Sequence, residues 1–242
     1  MAISYTYFEL ENFPSPQVGQ EIQTTTQLAI PQLEDDSIHT IVRFLGDSEH
    51  PDFFKFHVTH ETIRKIKARF LNNYRERIIE VMEFNLFMSK TGPASLVTAS
   101  TQYCHEMFRR LEQTLGDLSW KERKVDLISL KKELGSSIRG GWFTGLKIAD
   151  VRVAAIFGPT VGESEEWDRY EHGGDCSALV VELYSSEEAA ESVMITRSGS
   201  IVLYGTFSEG NGLRFVSSIN EQIAPFSQVY SVGLETKRRQ KT

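Results

Sequence analysis

Apolar and polar residues alternate in two early stretches, Ile38–Leu45 (IHTIVRFL) and Phe53–Val58 (FFKFHV). A period of two puts every second side chain on one face of a strand, so both read as strands, with Gly46 to Pro51 as the turn between them. The period then changes. Along residues 60–80, Ile63, Ile66, Phe70, Tyr74 and Ile78 recur at i, i+3 and i+4 spacing, which predicts an amphipathic helix capped by Thr59 or Thr62. Phe84–Ser89 and Ala94–Ser100 read as a hairpin about Lys90-Thr91-Gly92-Pro93. A helix over Gln102–Leu115 follows, with Met107, Phe108, Leu111 and Leu115 inward and Gly116 as its stop. Ser119 with Glu122 has capping-box spacing and opens a predicted helix from Trp120 to Leu134.

The second half is richer in strand signals. Lys147–Phe157 is apolar and β-branched, and Ala178–Tyr184 (ALVVELY) is a strong strand. Ser192–Thr196 and Ile201–Tyr204 form a hairpin about Arg197-Ser198-Gly199-Ser200, ahead of a helix over Gly212–Ile223. Gly162–Asp175 reads as an acidic loop. These elements divide the chain into an irregular segment 1–36 with short extended pieces such as Tyr5–Leu10, a first α+β half 37–116, a linker helix and Gly/Ser-rich linker 117–141, a second α+β half 142–227, and a basic tail 228–242 ending KRRQKT.

The halves echo each other. Leu86–Gly92 (LFMSKTG) lies over Val193–Gly199 (VMITRSG) with a conservative pair at each position, and each segment leads into a second strand and a helix. With one residue of slack, Met107, Phe108, Leu111 and Leu115 lie over Phe215, Val216, Ile219 and Ile223. The unit ESVMITRSGSIVLYGTFSEGNGLRFVSSINEQI resembles the repeat of the TATA-binding-protein fold, including Gly205 at the end of the second strand. The first half, with FFKFHVT leading into HETIRKIKARFL, is similar to the related N-terminal domain of type 3 bacterial ribonuclease H. The resemblance covers 53–115 and 145–226. It implies an α+β fold of two pseudo-repeated sheet-and-helix halves, an antiparallel sheet with helices on one face. The family's DNA-kinking phenylalanines do not carry over, because one such position falls on Ser89 and Thr196 and another near Cys176.

Charge sharpens the picture. The 242-residue chain carries a net charge of −7, which argues against wholesale coating of a polyanion, yet a local basic patch still binds one. The predicted helix 60–80 supplies Arg64, Lys65, Lys67, Arg69 and Arg75, and the predicted helix 120–134 supplies Lys121 and Lys124. These are the candidate nucleic-acid contacts. The expected function is a non-catalytic module that binds nucleic acid or a nucleoprotein complex. The alternative is a protein-interaction or scaffold subunit that uses the sheet face or the acidic loop.

An enzyme centred on His57 and His60 or on the acidic loop is the least favoured class. His57-Val58-Thr59-His60-Glu61 spans a predicted strand-to-helix junction and is not HExxH. Glu163, Glu165, Glu166, Asp168, Glu171, Asp175 and His172 fit no calcium-loop spacing. Two cysteines without CxxC spacing, Cys104 and Cys176, point to no structural zinc. No cofactor and no metal are expected. MAISYTYFELENF lacks a signal-peptide pattern and no window reaches the ~18 apolar residues of a membrane span, so a cytoplasmic protein with no membrane contact is expected.

Overall fold

The computed structural model describes residues 2–15, 17, 19–27, 37–70, 73–148, 150–184 and 190–232. The fold is α+β, built on antiparallel sheet. The chain divides into two compact units, one of residues 10–120 and one of residues 1–9 with 121–242. No helix among the described residues is long and apolar enough to cross a membrane.

In the unit of residues 10–120, strands β2 (Glu21–Gln27), β3 (Ser37–Asp47), β4 (Phe53–Phe70), β5 (Asn73–Ser89) and β6 (Ala94–Val97) lie side by side in chain order. Helix α1 (Thr101–Leu115) closes the unit. It buries Cys104, Met107, Phe108 and Leu111 together with Phe56, Val58, Phe84, Leu86 and Val97 of the strands. Each such side chain contributes about 1.5–3 kcal/mol on leaving water. Gly116 ends α1 at φ 75°, with its N–H on the Glu112 carbonyl, a conformation that costs glycine no Cβ clash.

In the other unit, β1 (Ile3–Glu11) pairs through residues 3–6 with β12 (Ser200–Tyr204). The order continues through β11 (Ala190–Thr196), β10 (Asp175–Tyr184) and β8 (Ile138–Ile148) to the edge strand β9 (Val151–Phe157). β7 (Ser119–Val125) pairs with β13 (Ser227–Ser231). Three helices belong to this unit: α2 (Leu127–Leu134), α3 (Glu165–Gly173) and α4 (Glu209–Ile223), capped by the side chains of Asp126, Ser164 and Ser208. The succession β10, β11, β12, α4 repeats that of β4, β5, β6, α1: three antiparallel strands and a helix. The turns differ, since Gly199 takes φ 76° and Gly92 does not take a positive φ.

Several expectations are corrected. Residues 60–70 and 73–80 are not a helix but the outer parts of β4 and β5. The i, i+3, i+4 stripe is overridden by strand pairing, which runs without a break from Phe53↔Ser89 to Lys65↔Arg77. The helix predicted from Trp120 begins only at Leu127, because 121–125 pairs as a strand with β13 and Asp126, not Ser119, caps the backbone. The acidic stretch is helix α3, whose first turn holds Glu165, Glu166 and Asp168 where the helix dipole favours anions. Residues 1–36 contain β1 and β2, and 228–231 belong to β13. The segment KRRQKT lies outside the described residues.

Gly140 and Gly141 belong to β8, not to a linker. A Cβ on Gly141 would lie 2.6 Å from the Trp167 indole, and one on Gly140 would meet the Phe157 ring. Each glycine is the space an aromatic ring fills.

Candidate nucleic-acid interface

β4 and β5 are 18 and 17 residues long, far more than their neighbours can pair. Among the described residues, β3 accompanies β4 only as far as Thr40↔His60, and β6 accompanies β5 only over Leu86–Met88. Beyond them, from Glu61↔Val81 to Phe70↔Asn73, the two strands pair with each other. They form a two-stranded arm.

Helix α1 buttresses the root of the arm. Thr62 Oγ1 donates to Glu106 Oε2 at 2.8 Å, the Tyr103 hydroxyl donates to Glu80 Oε2 at 3.3 Å, and Arg110 donates to the Glu61 carbonyl at 2.6 Å. Beneath these contacts lies His60, fully buried, with Nδ1 2.8 Å from Thr40 Oγ1 and Nε2 3.6 Å from Glu106 Oε2. Burial first, and then the Arg110 guanidinium, push the His60 pKa down to about 4 despite the Glu106 carboxylate. Burial works against ionising Glu106, but hydrogen bonds from Thr62, Gln102 and His60, with the His60 charge, bring its pKa below the usual value.

The arm is strongly basic. Between Glu61 and Val81 it carries Arg64, Lys65, Lys67, Arg69, Arg75 and Arg77 against Glu61, Glu76 and Glu80. Arg64 is exposed and reaches Glu80 across the strands at 2.9 Å. Lys65 and Arg77 are both exposed and are direct cross-strand partners, an arrangement in which like charges repel and weaken the pairing. The strand pairing shifts by a bulge between Lys65 and Ala68, and the side chains of 67–70 and 73–76, including Lys67, Arg69 and Arg75, lie outside those described. Lys121 and Lys124 stand on β7 of the other unit. Lys124 there lines a recess of about 600 Å³ with Asp126, Asp175, Cys176, Arg197 and Gln228.

Ile78, Ile79 and Val81 are 40%, 40% and 54% exposed, an apolar surface that the helical reading counted as core or left aside. Asn72-Asn73 was the available signal: adjacent turn-forming residues midway along 60–80 mark a hairpin better than a helix interior. Also missed was Arg123, 6% exposed, which lies 3.5 Å from the Tyr7 ring centroid and donates to Asn220 Oδ1 at 2.7 Å.

The other candidate chemistry does not converge. His60 faces the core with Phe56 and Val58, while His57, at an odd position of the same strand, takes the opposite face. No group of three or more metal-ligating side chains occurs among the described residues. Cys104 and Cys176 are buried and unpaired; burial raises the Cys104 thiol pKa and pushes that of Cys176 up to about 11. Trp167 of α3 is 1% exposed, rests 5.0 Å from Phe143 and donates to Glu171. It anchors the helix.

No protein-family model matches the chain, and no curated protein matches it at a significant level.

Proposed function

We propose that the chain is a non-catalytic nucleic-acid-binding module whose contact element is the β4–β5 arm. The observation that carries this reading is the Lys65–Arg77 pair. A sheet gains nothing by placing two exposed cations opposite each other, whereas a row of phosphates neutralises both. The chemistry of binding by charge also survives the change of element, because phosphate contacts need cations in a row and not a helix. A pseudo-duplicated, TATA-binding-protein-like ancestry belongs to the same proposal, supported by the repeated order of three strands and a helix. Unpaired buried cysteines favour a reducing, cytoplasmic setting.

The test is binding of the full chain to a short duplex and a single strand across a salt series. If all six arm cations contact phosphates, the slope of log affinity on log salt is about −5. Changing Arg64, Lys65 and Arg77 together to Glu should lower affinity more than tenfold and flatten the slope. Absence of binding at low salt, or equal binding by the triple variant, overturns the proposal.

A protein-interaction role is the second reading. It rests on edge strand β9, where Val153 and Phe157 are 61% and 58% exposed.

A further inference from the structure

The two faces of the arm differ, and the difference selects a ligand. Thr62 and Glu80 face α1, since both hydrogen-bond to it. Arg64 and Ile78 share that face two residues further out. Alternation then puts Glu61, Ile63, Lys65, Arg77, Ile79 and Val81 on the other face, away from α1. That second face has a cation pair at one level, Ile63 with the exposed Ile79 at the next, and at the third the exposed Val81 beside Glu61, whose carboxylate accepts the His39 N–H.

Dimensions narrow the choice. Ten residues of β4 lie beyond His60, which at about 3.3 Å each makes an arm of roughly 33 Å, close to one turn of B-form DNA. Two strands ~4.8 Å apart with their side chains fit a major groove about 12 Å wide. They do not fit the narrow, deep major groove of A-form RNA. In the B-form groove the base edges offer guanine acceptors to Lys and Arg, and thymine methyl groups to aliphatic side chains.

We propose, resting on the nucleic-acid reading above, that the arm docks in the major groove of B-form DNA with the Lys65/Arg77 face toward the base edges. Lys65 and Arg77 take phosphate or guanine oxygens, and Ile79 and Val81 lie against thymine methyls. Arg64 stays on the α1 side, within reach of the phosphate wall. A membrane surface would also attract cations beside aliphatic side chains, but a bilayer offers nothing to distinguish one aliphatic contact by a single methyl.

The experiment compares four probes with the full chain at one salt concentration: an A·T-rich DNA duplex of about 20 base pairs, the same duplex with deoxyuridine for thymidine, the corresponding RNA duplex, and vesicles rich in anionic lipid. The variant is I79A with V81A, both exposed positions, with its fold checked by circular dichroism. The wild type should bind the thymidine duplex several-fold more tightly than the deoxyuridine one, about fourfold per buried methyl, and the RNA duplex at least tenfold more weakly. The variant should bind both DNA duplexes alike. Salt-dependent binding with no preference between thymidine and deoxyuridine, or equal binding to RNA, overturns this docking while leaving the arm as a phosphate binder. Binding to no nucleic acid overturns both, and binding to vesicles alone moves the arm to a lipid surface.

Discussion

Thr40 Oγ1 lies 2.8 Å from His60 Nδ1 at the point where β3 stops accompanying β4. This buried contact holds the root of the arm, and it titrates. His60 has a folded-state pKa of about 4 against 6.5 in the unfolded chain. The unfolded state therefore takes up a proton first as pH falls, so stability is full above pH ~6.5 and declines toward pH ~4, by about 3 kcal/mol at most. Denaturant midpoints at pH 7.5 and pH 4.5 measure the loss. H60F should show a smaller difference between the two; an unchanged difference would assign it to other groups.

Gly141 faces Trp167 at a distance no Cβ tolerates. G141A should destabilise by about 1–3 kcal/mol through overpacking. Pairing it with W167F, which opens space, should cost less than the sum of the two single changes. Thermal unfolding of the four proteins gives the coupling.

Arg123 combines burial, a stack on Tyr7 and a hydrogen bond to Asn220. Burial, more than any neighbour, lowers its pKa. R123K keeps the charge but loses the planar stack and the directed bond, and should cost about 1–3 kcal/mol. R123M, apolar and of similar length, should cost no more than R123K, since a buried charge is replaced by packing. Chemical denaturation of both variants ranks them.

Asp126 Oδ1 accepts the Ile128 and Ser129 backbone N–H groups that open α2. D126A should cost about 0.5–2 kcal/mol and D126N less. Loss of helix signal at 222 nm, without loss of the rest of the fold, is the expected signature.

K65E turns a repulsive cross-strand pair into an attractive one with Arg77. It should stabilise the arm by about 0.2–1 kcal/mol while weakening polyanion binding. Opposite signs in a melting curve and a binding assay are the outcome to look for; a fall in both would mean that Lys65 supports the arm itself.

Where two-residue alternation or a glycine turn acts within a few residues, the sequence was legible. The hairpins about Lys90–Pro93 and Arg197–Gly199, the strand ALVVELY and the helices ending at Leu115 and Ile223 all follow from such local signals. The arm did not, because its apolar residues satisfy a helical period as well as a strand, and only the partner strand decides between them. β7 failed for a similar reason. One of its two partners, β13, lies about a hundred residues further along the chain, and no local pattern announces so distant a neighbour. Basic character was visible from composition, but which cations face each other depends on register, which pairing alone fixes.

That register also limits how the arm can change in length. One residue added to each strand between Glu61 and Val81 would preserve the pairing but turn everything beyond it over, so that Lys65 and Arg77 would exchange sides with Arg64 and Ile78. Two residues added to each strand would extend the arm by about 7 Å and leave its sides as they are. Viable length variants should therefore come in steps of four residues, two per strand, and an odd step per strand should yield a protein that folds but presents the wrong side.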